Sequence, residues 1–552
     1  MFCLEQEALA SYNYLEQLID ADEGFTYFNV FLSEPAEAVH DWPDFLDVPG
    51  RSAETSVLLR CMTGRPVATE AAFFRRILRF QGTDGLFYRP ETKLTRYEAQ
   101  PVEQAFAMQA LLARVVADCD ADATNRLELL LDGLTRLKPE PNALSGMLIR
   151  PLVGVYEKTG ADQALELAQR LRDFVLGGHR LFRADGTFPG HVHSHLCIAS
   201  GLVDFGRLTN DEGLIRQMDE VFRAMRARST SFGFVPELTE RKDDVIGCET
   251  CCLMDYLHLA IALTKTGRTE YFDDIERAVR NHLVESRVKE GDWLAESNEA
   301  QDEELTCRRG LRDKIKGAYA GWSSPNHVLA YDEFLPATWV KTPDLAPIYL
   351  NKIRALQNCC GPSGPKALYL AWQHASRVDG TILRVNLLMD RSPPEAEIRG
   401  HEPYKGRVEV RMHSPLRVAL RVPSSASHDT VRCQLNGRCV GLCREQNYAV
   451  TPELETGDVA VFVYPLTERE ERVGIGNEGF QQYEYAVSWR GSTVMRMVPG
   501  DNAGTGRSHL MAAPVRLYYG QEGPHLLYQR ERLLDVKPEQ ARLHTTEGPG
   551  IW

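Results

Sequence analysis

The feature that most constrains this chain is a weak internal repeat of helix pairs in its first two thirds. An apolar helical segment ends in a short stop, an amphipathic segment follows, and the unit recurs at intervals of roughly 40–60 residues. Gly or Asn is the usual residue just past a helix because both adopt left-handed backbone conformations. The stops are Met62-Thr63-Gly64, Asp118-Cys119-Asp120, Lys158-Thr159-Gly160, Leu208-Thr209-Asn210 and Lys265-Thr266-Gly267. Such arrays form an open solenoid or a closed toroid, and long irregular loops at 178–189 and 228–247 favour a toroid with a site at one end.

The pattern changes near Thr381, where short segments alternate apolar and polar residues. Segments 382–389, 407–412, 416–422 and 459–464 have this period of two and are bounded by turn residues, which predicts antiparallel strands with one buried face. Asn436-Gly437 lies between two further segments and predicts a tight hairpin. We therefore predict a multidomain α + β chain with a β-sandwich after the helices. A last β-rich piece to Trp552 either packs back on the helices or forms a second sandwich.

Composition limits the classes of function. The chain has 552 residues, which is too many for one hydrophobic core, and a net charge of −14, which argues against nucleic acid as a partner. The N-terminus lacks the basic and apolar regions of a signal peptide, and no run of roughly 18 apolar residues occurs. We therefore predict a cytoplasmic protein with no membrane partner. The C-terminal β-rich region offers a contact surface for a homodimer.

Thirteen cysteines, an odd number, indicate free thiols rather than a disulfide framework. Two groups stand apart by spacing: Cys248, Cys251 and Cys252 around Glu249, and the pair Cys359-Cys360. Glu249 and Cys251 of the first group can combine with both cysteines of the second. Together they supply one carboxylate and three thiolates, which is the number of ligands of a four-coordinate zinc ion, and soft thiolates select zinc over magnesium or calcium. Adjacent cysteines need an irregular turn to share one ion, and Gly361-Pro362 favours such a turn. The alternative is a set of buried thiols at a helix start, with Glu249 complementing the helix dipole.

A metal-bound thiol is deprotonated near neutral pH and is then a nucleophile. A covalent mechanism also needs a carboxylic acid that protonates the leaving group and later activates water. Glu237 lies in a loop shortly before the cysteine motif and is the natural candidate. Glu240, Asp243 and Asp244 compete with it, and each of the four also fits a solvated loop charge.

Histidines are densest at His191-Val192-His193-Ser194-His195. On a strand the three would share one face, but the residues that follow have a helical pattern, so the sequence does not favour a three-histidine metal site. A polar corner between loop and helix, facing a pocket, fits better. His191 there could bind a sugar hydroxyl or orient a carboxylate.

At these residues the chain resembles glycoside hydrolase family 127, the β-L-arabinofuranosidases, and its relative family 146. Four motifs carry the resemblance over roughly residues 90–470: Cys248-Glu249-Thr250-Cys251 at a helix start, Asp274-Ile275-Glu276-Arg277-Ala278-Val279-Arg280-Asn281, Cys359-Cys360-Gly361-Pro362, and Gly190-His191 leading into Gly201-Leu202-Val203-Asp204. The strands after residue 400 resemble the family's sandwich in order.

The resemblance implies an (α/α)6 barrel followed by β-sandwich modules, which we place at residues 1–378, 379–470 and 471–552. It implies a Zn²⁺ ion held by Glu249, Cys251, Cys359 and Cys360. It also implies Cys359 as the nucleophile of a retaining exo-glycoside hydrolase that forms a thioglycosyl intermediate and releases a β-L-arabinofuranoside-like sugar from an oligosaccharide or glycoconjugate.

The resemblance also implies residues that contact the sugar: His191, Glu276, Gln104 and His193. Gln104 belongs to this set by position, since Glu103-Gln104 stands where the family has Gly-His. Gly146 to Arg150 replaces a family Gly-His-x-x-Glu, Cys-Cys-Gly-Pro-Ser replaces Cys-Cys-Pro-Pro-Asn, and Glu237 lies about four residues closer to the cysteine motif than the family glutamate. These departures keep two alternatives open: a non-catalytic carbohydrate-binding scaffold with structural zinc, and a lyase or epimerase on the same barrel.

Overall fold

The computed structural model describes residues 2–499 except 21–22, 32–34, 137–142, 241–246, 293, 298, 300, 320, 322, 325–326, 329–354, 478 and 480–481. The helices in this part of the chain are α1 (Leu4–Leu9), α2 (Tyr12–Gln17), α3 (Asp47–Thr63), α4 (Glu70–Leu78), α5 (Pro101–Asp118), α6 (Ala121–Arg136), α7 (Ile149–Thr159), α8 (Asp162–Asp173), α9 (Val192–Thr209), α10 (Glu212–Arg228), α11 (Thr250–Thr264), α12 (Phe272–Ala278), α13 (Leu311–Lys314) and α14 (Cys360–His374).

Within the described residues, six of these helices close into an inner ring in the order α3, α5, α7, α9, α11 and α14, with α14 packed on α3. An outer helix, namely α1, α4, α6, α8, α10 or α12, packs against each of them. The predicted toroid is thus an (α/α)6 barrel. Because inner and outer helices alternate along the chain, the N-terminal ends of the inner helices meet at one end of the barrel.

The predicted helix stops explain this alternation. Gly64, Cys119, Gly160 and Asn210 each end an inner helix in the left-handed conformation, with φ of 72°, 54°, 73° and 55°. A residue with positive φ cannot continue a right-handed helix, so the chain turns back into the outer layer. The α4, α8 and α10 segments that follow are amphipathic and bury one face on the inner ring.

Short strands lie in the connections between the barrel helices. They are β1 (Ile19–Asp20), β2 (Phe25–Thr26), β3 (Asn29–Phe31), β4 (Glu37–Val39), β5 (Gly190–His191), β6 (Leu238–Thr239), β7 (Thr306–Cys307), β8 (Ser323–Ser324), β9 (His327–Val328) and β10 (Ala355–Gln357). One sheet has the order β10-β3-β4-β7, and β5 pairs with β6. These pairings tie the segments before α9 and α14 to the rest of the barrel.

The β-sandwich follows α14. Its strands are β11 (Ser376–Asp379), β12 (Ile382–Val385), β13 (Ala396–Gly400), β14 (Arg407–Met412), β15 (Leu416–Arg421), β16 (Arg432–Leu435), β17 (Arg438–Val440), β18 (Cys443–Glu445), β19 (Tyr448–Leu454) and β20 (Val459–Val463). The two sheets have the orders β11-β12-β15-β19-β18 and β13-β14-β20-β16-β17. Asn436 and Gly437, at φ of 49° and 81°, form the predicted hairpin turn. The pair β12–β15 is parallel, a difference from the all-antiparallel expectation.

A third sheet consists of β21 (Glu468–Ile475), β22 (Tyr483–Arg490) and β23 (Thr493–Pro499). Its apolar face, including Trp489 and Val487, belongs to the same buried core as the barrel helices. Between the two predicted alternatives, this piece therefore packs back on the barrel. Residues 500–552 lie outside the described part of the chain, and the three domain boundaries stay predictions.

None of the described helices combines the length and apolar character needed to cross a lipid bilayer. The cytoplasmic location, the absence of nucleic-acid and membrane partners, and the homodimer stay predictions.

The barrel and the sandwich are joined by a buried ion-pair cluster. Arg421 on β15 is fully buried, pairs with Asp273 and Glu276, and donates from Nε to Asn386 O at 2.5 Å. Removing one partner of such a cluster leaves uncompensated buried charge. We expect Arg421→Met to lower the free energy of unfolding by about 3–5 kcal/mol. Urea titration tests this beside Arg438→Met, which changes an exposed arginine of the same sandwich; equal midpoints would contradict the role of the cluster.

Candidate metal-thiolate site

The predicted ligands come from the starts of two neighbouring inner helices. Glu249 is the residue just before α11 and Cys251 lies in its first turn, while Cys359 is the residue just before α14 and Cys360 is its first residue. Asn358 and Cys359 form a turn that leads into α14, and this turn brings the sulfurs of Cys359 and Cys360 to the start of α11. Pairing of β10 with β3 and the bond from Asn358 N to Phe28 O, 2.7 Å, fix the chain just before Cys359.

The four ligand atoms of Glu249, Cys251, Cys359 and Cys360 all lie within 4.8 Å of one another. The sulfurs of Cys251 and Cys360 are 3.4 Å apart and those of Cys359 and Cys360 are 3.9 Å apart. Glu249 Oε1 is 3.4 Å from the Cys359 sulfur. A tetrahedral zinc ion with metal–sulfur bonds of about 2.3 Å separates its sulfurs by about 3.8 Å, so the residues fit this ion in number, chemistry and spacing.

The environment of the cluster favours a negative charge on one thiol, Cys251. Hydrogen bonding to Cys251 raises the pKa of Cys359, and burial raises the pKa of Cys360, both well above the usual range. The Arg51 guanidinium, held by Asp47 at 2.6 Å, is 3.6 Å from the Cys251 sulfur. Burial opposes ionisation of Cys251, but the thiols of Cys359 and Cys360 hydrogen-bond to it and Arg51 faces it, so its pKa lies well below the usual range. The N-terminal ends of α11 and α14 add positive potential. A cation would take the place of the thiol protons.

His191 supports the cluster from the barrel mouth. Its Nε2 is 2.7 Å from Glu249 Oε2, and its side chain is 40 % exposed. Burial alone would lower the pKa of His191, but the Glu249 carboxylate at this distance, helped by Glu237, raises it to about 9. Glu249 Oε2 is also 3.5 Å from the Cys252 sulfur, so His191, Glu249 and Cys252 form a second group of possible ligands that shares Glu249.

Glu237 lies beside His191 because β5 pairs with β6. Val192 N donates to Glu237 O at 2.9 Å, and Glu237 N donates to Gly247 O at 3.0 Å. Of the competing carboxylates, Glu240 is exposed and ion-paired with Arg183, which lowers the pKa of Glu240 and makes it a poor proton donor. Asp243 and Asp244 lie outside the described residues.

The remaining histidines do not converge on one ion. His193 is buried, and its Nδ1 is 2.5 Å from Asp255 Oδ2. His195 Nδ1 is 2.7 Å from His191 O, and its ring stacks on Phe188. His193 is therefore held by the buried Asp255 in the barrel interior, and its contact with a sugar stays a prediction.

Two predicted sugar-binding residues need correction. Gln104 is fully buried, and its amide accepts from Phe87 N at 2.8 Å and donates to Phe87 O at 2.7 Å, which pins the preceding loop. Glu276 is fully buried in the interface with the sandwich, where it contacts Arg280 at 2.8 Å and Leu388 N at 3.1 Å as well as Arg421. Neither side chain has exposed surface for a ligand.

A buried polar network, which no sequence motif predicted, lies in the barrel interior. Arg150 Nη1 is 3.1 Å from Asp255 and 3.0 Å from His258 Nδ1, and Arg150 Nη2 is 3.1 Å from Gln109 Oε1. Lys366 Nζ is 2.7 Å from Glu54 and 2.8 Å from Gln109 Oε1 in the same region. In the sequence, these residues could have been recognised as charged residues inside helices that are otherwise apolar.

The departure from Cys-Cys-Pro-Pro also has a structural reason. A Cβ atom added at Gly361 would lie 2.1 Å from Tyr14 Oη, and one at Gly364 would lie 2.2 Å from the Tyr319 ring. Tyr14 donates to Asn358 O at 3.3 Å and so packs against the turn before Cys359. Glycine at 361 therefore lets the tyrosine support the cysteine pair.

This architecture is found in solved structures. A glycoside hydrolase aligns with a TM-score of 0.59 at 15 % identity over 87 % of this chain and 85 % of its own. The GH127 β-L-arabinofuranosidase of Geobacillus stearothermophilus T6 aligns with a TM-score of 0.56 at 15 % identity, over 89 % and 80 %. This chain has the GH127 fold. A second GH127 β-arabinofuranosidase gives a TM-score of 0.58 at 14 % identity, over 89 % and 78 %.

No protein-family model and no curated protein matches the chain in sequence. The GH127 fold is therefore recognised from structure at identities of 14–15 %, where activity does not follow from fold. The activity depends instead on the chemistry of the cysteine cluster and its surroundings.

Proposed function

We propose that this protein is a retaining, zinc-dependent exo-glycoside hydrolase that releases a terminal β-L-arabinofuranoside-like sugar. The observation that carries the proposal is the cluster of one carboxylate and three thiols, at the mouth of a barrel with the GH127 fold. The solved neighbours with this fold are named as glycoside hydrolases. The substrate class we propose is an oligosaccharide or glycoconjugate.

Among the three sulfurs, Cys359 is the best placed nucleophile. Cys251 and Cys360 are buried, whereas Cys359 is half-buried and so can reach a substrate. A zinc ion bound by Glu249, Cys251, Cys359 and Cys360 would keep these thiols deprotonated at neutral pH. Thiolate is the reactive form of cysteine.

In the proposed reaction the Cys359 sulfur attacks the anomeric carbon, and the bond from that carbon to the leaving oxygen breaks. Glu237 gives its proton to the leaving oxygen as the bond breaks. The Glu237 carboxylate then takes a proton from water, whose oxygen displaces the sulfur from the anomeric carbon. Two displacements at one carbon give net retention. His191, partly exposed and anchored by Glu249, presents its ring to a sugar hydroxyl.

Two alternative functions are distinguished from the hydrolase by experiment. A scaffold with structural zinc is favoured by the absence of two histidines that the family has, at Glu103-Gln104 and near Arg150. A lyase or epimerase acting on a uronate would need a cation for the carboxylate, and Arg150 is already engaged by Asp255 and Gln109. The hydrolase hypothesis gives a role to more of the site residues than the scaffold or the lyase hypothesis does.

Metal analysis tests the base of the proposal. We expect about one zinc per chain in the reduced wild-type protein and almost none in Cys359→Ser/Cys360→Ser, because two of four ligands are lost. The matched control is Cys439→Ser/Cys443→Ser, which removes two exposed sandwich thiols and should keep the zinc. Wild-type protein without zinc would overturn the mechanism. Wild-type protein with zinc but no turnover of any β-L-arabinofuranoside would leave the scaffold reading.

A further inference from the structure

Two donors from outside the metal-thiolate cluster converge on one of its sulfurs, that of Cys251. Arg51 Nη1 lies 3.6 Å from this sulfur. Ser363 Oγ lies 3.3 Å from it and 3.1 Å from Cys359 O, and the serine hydroxyl can turn to donate to either atom. In the described part of the chain, the sulfurs of Cys359 and Cys360 are hydrogen-bonded only to cluster members or to a backbone carbonyl oxygen. The protein therefore supports negative charge at Cys251 more than at the other two sulfurs.

Both donors are held in place by their own contacts. The Arg51 side chain is buried on α3, its Nε donates to Asp47 Oδ1 at 2.6 Å, and its guanidinium lies 3.9 Å from the centroid of the Phe106 ring. Ser363 is buried in the first turn of α14. Side chains that hydrogen-bond a metal ligand orient that ligand and affect how tightly the metal binds.

The charge of the site requires compensation. One carboxylate and three thiolates bring four negative charges and a zinc ion brings two positive ones, so the filled site keeps an excess of two negative charges. Buried charge costs free energy unless an opposite charge pairs with it. The Arg51 guanidinium offsets part of this excess, because its Nη1 donates to the Cys251 sulfur while Asp47 binds Nε.

The hold on Cys251 decides whether the metal stays once Cys359 has reacted. In the proposed reaction the Cys359 sulfur bonds the anomeric carbon and loses its negative charge, which leaves Cys251 and Cys360 as the two thiolates of the site. A thiolate that donors stabilise is also a weaker nucleophile. Cys251 is therefore suited to remain a ligand, while Cys359, which lacks such donors among the described residues, keeps the nucleophilicity that the reaction needs.

We propose that Arg51 and Ser363 are positioning residues that make Cys251 the permanent ligand of the metal site, so that the ion stays bound when the Cys359 thiolate is consumed. This inference rests on the proposed hydrolase function for the role of Cys359. It also gives a role to Ser363, which stands where the family has Asn in the cysteine-pair motif.

Zinc affinity, measured by competition with a coloured chelator, tests this inference without any turnover. We expect Arg51→Met to bind zinc about 10–100-fold more weakly than wild type, because a partner of a metal ligand is lost. Arg51→Lys should recover most of this loss, because its ammonium keeps the positive charge. Ser363→Ala should weaken binding by about fivefold, as one hydrogen bond is lost. The matched control is Arg60→Met, which removes an ion-paired arginine from the same helix and should keep the wild-type affinity.

The Cys359→Ser background tests the permanent-ligand role itself, because it retains the two thiolates that remain after Cys359 has reacted. We expect Cys359→Ser to bind zinc measurably and Cys359→Ser/Arg51→Met to bind it about 10–100-fold more weakly, with circular dichroism confirming the fold of each variant.

Equal zinc affinities of Arg51→Met and Arg60→Met would overturn the inference. A loss in Arg51→Met that Arg51→Lys does not reduce would also overturn it, since that result marks a packing defect. Zinc-binding wild-type protein without turnover would overturn the proposed function alone, because the affinities are measured without substrate. Wild-type protein without zinc would overturn both.

Discussion

A Cys359→Ser variant is expected to lose at least about 10³-fold in kcat, because it removes the proposed nucleophile and one metal ligand together. Serine is a far weaker nucleophile at neutral pH since its hydroxyl stays protonated. Initial rates on an activated β-L-arabinofuranoside measure the loss, and circular dichroism checks that the fold is kept. Activity within tenfold of wild type would show that another group attacks the sugar.

Two further cysteine variants separate nucleophile from ligand. Cys360→Ser should lose both zinc and activity, because Cys360 is a buried member of the four-residue cluster. Cys252→Ser should keep both, although Cys252 is 3.5 Å from Glu249, because Cys252 lies outside that cluster. If Cys252→Ser lost zinc while Cys251→Ser kept it, the ion would be assigned to the group of His191, Glu249 and Cys252. Intact-protein mass after mixing with a slowly released glycoside should show one sugar added to wild type and none to Cys359→Ser.

The sequence indicated the cluster of one carboxylate and three thiols because its information is local. Glu249 and Cys251 share one helix start, and Cys359 and Cys360 share another, so two short motifs place four ligands once the helices are neighbours. The helix stops were equally local, since Gly64 and Gly160 need only a left-handed backbone at a helix end. Ring closure and the sandwich order required the family resemblance as well.

Side-chain direction on a helix face could not be predicted in the same way. Glu276 belongs to a motif that the resemblance linked to the sugar site, yet its helix aims it at the sandwich, where Arg421 neutralises it. Gln104 stands where the family has a histidine, but its amide hydrogen-bonds the Phe87 backbone. Arg51 was missed because its contact with Cys251 joins helices 200 residues apart in sequence. Each error concerns a long-range partner that no single-sequence pattern encodes.

Glu237→Gln should be the second most damaging change, with kcat lowered about 10²–10⁴-fold on a disaccharide, because no proton reaches the leaving oxygen. The loss should shrink on a nitrophenyl glycoside, whose leaving group departs without protonation, and added azide should restore turnover there by attacking the glycosyl enzyme without a general base. A structural defect would lower the turnover of both substrates alike, and added azide would not restore it.

Variants of the three competing carboxylates test whether Glu237 is the acid/base. Glu240→Gln, Asp243→Asn and Asp244→Asn are measured on the same two substrates beside Glu237→Gln. Glu240 is ion-paired with Arg183 and has a lowered pKa, so it holds no proton at neutral pH to donate. Glu237 instead lies in the segment that pairs with the start of α9 beside His191, where one carboxyl can serve the leaving oxygen and then the attacking water. Azide rescue in Asp243→Asn or Asp244→Asn, with none in Glu237→Gln, would transfer the acid/base role to that aspartate.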